Sequence, residues 1–183
     1  VCSSDLFDKR TGSNGVNPDH NELRSCVTTA VDAGSAGTSN FADFRAKVIK
    51  DSKTRVLTFL NPGDNPQAAA ALIAQNPQII VGVRVMPGQS PDNAVRAAEL
   101  SKTILIGDGP GLRAGDIQTR LYRATPAPPV KGAVRDLGHS ADGFWFRVAA
   151  PAIQKGQLPD TLSTGIDKNS IMLPRATMTN EIG

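Results

Sequence analysis

A chain of 183 residues with a net charge of +3 is long enough to bury a substantial single-domain core. Its 20 basic and 17 acidic residues are spread without a dense Lys/Arg run, which argues against a nucleic-acid partner. Apolar stretches such as 79–83 are too short to cross a bilayer, and two cysteines, Cys2 and Cys26, lack metal-ligand spacing and are too few for a disulfide framework, so a reducing cytoplasm is the default location.

Residues 1–6 carry neither an initiator Met nor the regions of a signal peptide, and Val1-Cys2-Ser3-Ser4-Asp5-Leu6 resembles a translated sequencing-adaptor remnant. They are expected to be non-native, with one domain over 7–180 and an incomplete reading frame ending abruptly at Gly183. Short apolar, β-branched runs predict strands at 27–32, 55–61, 79–85, 103–107, 116–122, 134–138 and 161–166. Between them, 40–50 sets Phe41, Phe44, Val48 and Ile49 on one face behind Asn40 as N-cap. Asn65-Pro66 opens an Ala-rich helix to about Gln75, and Ser90-Pro91 opens another to about Lys102. A further helix over 144–155 contains Pro151, which should kink it or end it early. The rhythm of strands and helices predicts an α/β fold of parallel strands joined by crossovers. It fails between Gly107 and Lys131, where Gly, Pro and Ala dominate and barrel units are expected to be shortened.

Several ordered segments carry a resemblance. They are Val31-Asp32-Ala33-Gly34-Ser35-Ala36-Gly37 with Asn40-Phe41, Ile80-Val81-Gly82-Val83, Gly115-Asp116-Ile117, Asp136-Leu137-Gly138-His139, and Leu158-Pro159-Asp160-Thr161-Leu162-Ser163-Thr164 running into Ser170-Ile171-Met172-Leu173-Pro174. Together they resemble the deacetylase branch of the amidohydrolase superfamily, metallohydrolases related to dihydroorotase, over about Asp19 to Asn180. The resemblance implies an incomplete TIM-type (β/α) barrel of about seven mostly parallel strands, since a complete one takes roughly 250 residues. It also implies a hydrolase of an acyl-amide, N-acetyl-type bond that uses zinc or another divalent ion to make hydroxide and polarise the carbonyl.

The family's ligands are a His-x-His pair after the first strand, a carboxylated Lys after the fourth, single His residues after the fifth and sixth, and an Asp base after the eighth. Here the corresponding positions hold Phe7, Asp8 and Lys9, or else the first strand was lost with the adaptor-like start, then Arg84, Leu105, Arg120 and Gly165. The guanidinium of Arg84 cannot form a carbamate. His20 and His139 are the only two histidines, so this chain cannot assemble a His-based metal site, and no metal ligand is assigned. His20, in a polar segment, reads as an exposed residue. The resemblance places His139 at a seventh-strand position facing substrate.

Asp167, two residues past Gly165 and on the same strand face, is the candidate base or ligand; its alternative is a turn or helix-capping Asp. Arg84 and Arg120, if both point into the barrel mouth, are two cations that a bound anion, Asp32 or Asp108, or solvent must meet; the alternative leaves them exposed at an open rim. Phe144 and Trp145 are either a pocket wall or core residues. Gly107-Asp108-Gly109-Pro110-Gly111 lacks the Lys-Ser/Thr of a phosphate loop and reads as a turn, and Ser35 lacks the setting of a nucleophile. Two readings result. One is a metal-dependent amidohydrolase with His139, Arg84 and Arg120 binding a small molecule and Asp167 as base, impaired by ligand loss. The other is a non-catalytic barrel remnant or small-anion-binding module. Open sheet edges make a homo-oligomer possible in either case.

Overall fold

The computed structural model describes residues 2–4, 6, 15–23, 26–140, 142–167 and 169. Seven strands form one sheet in sequence order: β1 (Cys2–Ser4), β2 (Thr29–Asp32), β3 (Arg55–Leu60), β4 (Ile80–Arg84), β5 (Ile104–Gly107), β6 (Ile117–Gln118) and β7 (Val134–Arg135). Every pairing is parallel. The curled sheet is that of an incomplete α/β barrel.

Parallel strands need crossovers, and the first part of the chain supplies helices. These are α1 (Pro18–Asn21), α2 (Phe41–Phe44) running into a π-helical turn at Arg45–Ile49, α3 (Pro66–Gln75) and α4 (Asp92–Ser101), followed much later by α5 (Phe146–Gln154). α3 starts where Pro66 fits the first turn and the Asn65 side chain accepts from the Ala68 N–H at 2.9 Å. Two apolar layers result from strand alternation. Ala30, Val56, Ile80 and Leu105 face outward under Phe41, Phe44, Ile73, Ala94 and Ala97, while Val31, Phe59 and Ile106 fill the interior. The register slips between Thr58 and Phe59, which pair with Ile80 and Gly82, leaving Val81 as an extra residue in β4. Gly82 is required there: a Cβ would lie 2.6 Å from the Ile104 carbonyl oxygen and 2.9 Å from the Phe59 ring.

Four local expectations need correction. The Asn40 side chain does not cap α2; its Oδ1 accepts from the Gly37 N–H at 2.6 Å and its amide donates to the Ser35 carbonyl at 3.1 Å, so it braces the preceding loop. Pro151 lies inside α5 and the helix runs on to Gln154. The predicted seventh strand is reduced to a parallel bridge between Thr161 and Asp136, with Leu137 and His139 N–H groups donating to the Thr161 and Ser163 carbonyls. The strand beyond β2 is instead β1, which is not among the predicted strands. No helix among the described residues is long and apolar enough to cross a membrane.

Candidate functional site

The C-terminal ends of the parallel strands open on a cleft of about 190 Å³. Its walls come from Ala33 after β2, Arg84 and Met86 at β4, Thr119 and Arg120 after β6, Gly138, Ser140 and Asp142 after β7, and Ser163, Gly165 and Asp167 beyond.

Two buried carboxylates hold the loops around it. At the end of β2, Asp32 accepts from the N–H groups of Leu6 (3.0 Å), Gly34 (3.2 Å) and Ala36 (2.9 Å), from the Thr58 hydroxyl (3.0 Å) and from the Ser35 hydroxyl. Burial pushes the Asp32 carboxyl above the usual range, against the opposing pull of those donors. Ser35 is therefore part of the loop's scaffold. Gly34 has φ +101°, and a Cβ on it would come within 2.7 Å of Arg84 Cγ, so the bare backbone there lets Arg84 reach the mouth. On the other side, Asp136 accepts from Thr119 (2.8 Å), Thr161 (2.9 Å) and Ser163 (2.7 Å), joining three successive chain segments through hydroxyls.

Between them lies an ion cluster. Asp108, two residues past the inward Ile106, accepts from Arg120 Nε at 3.0 Å and from Arg120 Nη2, and from Arg123 Nη1 at 2.7 Å. Arg84 Nη2 stands 3.9 Å away. Arg120 also reaches Asp142 at 3.5 Å. Arg84, Arg120 and Asp108 side chains are only 8%, 15% and 13% exposed, so each charge depends on the others. Arg120 holds φ +56°, a left-handed backbone uncommon outside glycine, which is characteristic of functional positions.

The structure thus brings together Arg84, Arg120 and Asp167, all of which line the cleft. The exposed-rim alternative for the two arginines does not hold: Asp108, one of the partners considered from sequence, meets both. His139 is placed apart, its ring edge-on to Phe144 at 5.0 Å while its neighbours Gly138 and Ser140 line the cleft. Phe144 also packs edge-on to Tyr122 at 5.8 Å, and neither Phe144 nor Trp145 lines the cleft, which selects the packing reading for Phe144. His20 is exposed on α1, and Cys26 is free and exposed.

Leu105 cannot occupy a ligand position, because it is fully buried in the outer layer beneath the helices. The residue that β5 sends to the mouth is Asp108. Sequence reading missed its central role, although strand alternation from Ile106 points to it. Thr119, Asp142 and Ser163 were also missed; they are common polar residues in loops and carry no motif.

A divalent ion needs several converging oxygen or nitrogen donors. No group of three His, Cys, Asp or Glu side chains among the described residues could hold one. Where β4, β5 and β6 end, the side chains are Arg84, Asp108 and Arg120, two of which are permanently cationic. This donor set does not fit the divalent ion that the resemblance implies.

No protein-family profile matches the chain. Among curated proteins it is similar to a deacetylase of Brucella anthropi and one of Agrobacterium fabrum, each 26% identical over 201 residues and 81% of this chain, covering 50% and 49% of those proteins. A deacetylase of Enterococcus faecalis is 25% identical over the same share of this chain and 54% of its own length. The chain thus spans about half the length of these relatives. A 201-residue alignment against a 183-residue chain means that the relatives carry extra residues inside the matched stretch. In fold it is similar to a dihydroorotase crystal structure (TM-score 0.82, 22% identity, all of this chain and 64% of that one) and to an adenine deaminase (TM-score 0.73, 19% identity, 88% and 58%). Taken together, sequence and architecture make this chain an incomplete α/β barrel that resembles the deacetylase-like branch of the amidohydrolase superfamily.

Proposed function

We propose that the chain carries the substrate-facing strand ends of an amidohydrolase-type deacetylase in which metal-dependent cleavage of an N-acetyl-type amide has been lost, while the mouth still binds a small polar molecule. The relatives support the hydrolase origin. The observation that carries the loss is the Arg84–Asp108–Arg120 cluster at the ends of β4, β5 and β6. Arg84 and Arg120 against the single Asp108 leave a net positive charge, which repels a metal cation, and guanidinium groups cannot replace a Lewis acid or generate hydroxide. In this reading Arg84 and Arg120 orient the ligand from the wall of the cleft, His139 acts through its loop neighbours Gly138 and Ser140, and Asp167, which lines the cleft together with Asp142, takes the proton.

The test is metal analysis of the purified chain, together with hydrolysis of N-acetyl amino acids in the presence of added zinc. The reading expects well under one ion per chain and no turnover. A stoichiometric ion or zinc-dependent hydrolysis overturns it.

A second reading, small-anion binding without chemistry, draws on the two guanidinium groups in the cleft wall. Phosphate or acetate at millimolar concentration then raises the melting temperature by linkage, and no shift discards it. A cytoplasmic location accords with the free Cys26. Association of two copies through the open β1 edge is checked by light scattering.

A further inference from the structure

On its outer face the sheet changes character after β5. Ala30, Val56, Ile80 and Leu105 are apolar and covered by helices, but the next two strands present Gln118 and Arg135, which are register neighbours. No helix fills the β6–β7 connection over 119–133, so this face is covered by an irregular Pro-containing connector and by α5. A cavity of about 170 Å³ remains between them. Leu121, Val148 and Ala152 form one side and Pro126, Ala127 and Pro129 the other.

The polar groups on its wall are largely committed. Gln118 donates to the carbonyls of Asp108 (3.2 Å) and Pro128 (2.9 Å) and accepts from the Val130 N–H (2.9 Å). Tyr122 donates its hydroxyl proton to the Gln157 carbonyl at 2.6 Å. Arg135 sends one terminal nitrogen to that same carbonyl at 3.4 Å, while its buried Nε meets no acceptor. Asp160 accepts from the Arg135 main-chain N–H at 2.8 Å. A guanidinium cannot shed its proton, and an unmet buried donor on a cation is costly, so the site favours an oxyanion. The apolar walls favour a hydrophobic body beside it. Apolar cavities of about 150 Å³ accept benzene, which sets the body at roughly four to six carbons.

We propose that this cavity is a binding site for a small hydrophobic monocarboxylate, held by Arg135 and separate from the strand-end cleft. The site stands independently of the functional reading above.

Benzoate is the probe, with benzamide as its uncharged counterpart and acetate as charge without a body, titrated calorimetrically into the full chain. Benzoate binds with Kd at or below about 1 mM, and benzamide and acetate at least tenfold more weakly. Arg135→Gln and the cavity-filling Ala152→Leu each weaken benzoate tenfold or more, and Arg135→Lys retains part of the affinity. Equal binding of acetate, no benzoate binding at 10 mM, or affinity within twofold in either Arg135→Gln or Ala152→Leu overturns the proposal. Should those variants fail to fold, methyl NMR of the unaltered chain decides. Benzoate shifts on Leu121, Val148 and Ala152 support the site, and shifts confined to Ala33 and Met86 in the strand-end cleft overturn it.

Discussion

Strands β2 to β5 and strands β6 to β7 belong to one sheet yet are held in different ways. The first four are apolar on both faces and lie under helices, so burial of side chains such as Phe44, Leu60 and Ile73 stabilises them. The last two are only two residues long each, and they are secured by hydrogen bonds that the Asp116, Asp136 and Asp160 carboxylates accept and that the Gln118 amide donates. Asp116, for example, accepts from the Leu105 and Arg113 N–H groups at 2.8 and 2.7 Å. Where crossover helices are missing, polar hubs carry the connections. The mouth straddles the seam between the two modes.

That contrast is most exposed at Asp108, which sits on the seam. Asp108→Asn leaves Arg84 and Arg120 mostly buried without their shared counter-charge and should cost about 3–5 kcal/mol in denaturant unfolding. A smaller loss would mean that solvent already screens the cluster. Within the helix-covered part, Ile73→Ala should cost about 2–5 kcal/mol and lower the whole transition, because the side chain is buried in the main core. In the loop-covered part, Gln118→Leu removes three hydrogen bonds, costs about 1–3 kcal/mol, and should open the 121–133 connector to protease well before the rest. If both variants lose protection uniformly, the two parts are one cooperative unit.

Two finer tests follow. Asp19 feels burial that raises its pKa, but hydrogen bonds from Lys53 and Thr54 outweigh it and hold the carboxyl below its ordinary value of 3.8. Its stabilisation is therefore present above about pH 3.8 and lost as pH falls through the lowered folded-state value. The stability gap between the parent chain and Asp19→Asn should be full at pH 7 and close on acidification below that point, read from denaturant midpoints. Smallest of all, Lys47→Ala breaks an exposed pair with Asp43 at 2.9 Å and should change stability by no more than about 0.5 kcal/mol.

The same contrast governs what could be read from the chain. Strands β2 to β5 were legible because a buried parallel strand is a run of apolar residues, and α3 because Asn65 and Pro66 mark its start. The Gly- and Pro-rich stretch after Gly107 correctly signalled missing helices. Arg84, Arg120 and Asp167, singled out in the sequence at strand ends, all line the cleft. What stayed hidden depends on which way a side chain faces. Leu105 stood for the fifth strand until alternation put it under the helices and Asp108 in the mouth. Asn40 and Pro151 show the limit of local rules: a loop in need of bracing took the Asn40 side chain, and α5 continued through its proline.

The slip beside Gly82 has a further reach. Val81 and Gly82 together occupy the space that one residue of β3 faces, so the count of sides restarts after them. If both residues kept ordinary alternation from Ile80, Val83 would turn toward the opening and Arg84 would be driven under the helices. The doubled position thus sets a cation rather than an isopropyl group in the mouth, and removing one of its two residues would leave that facing unchanged.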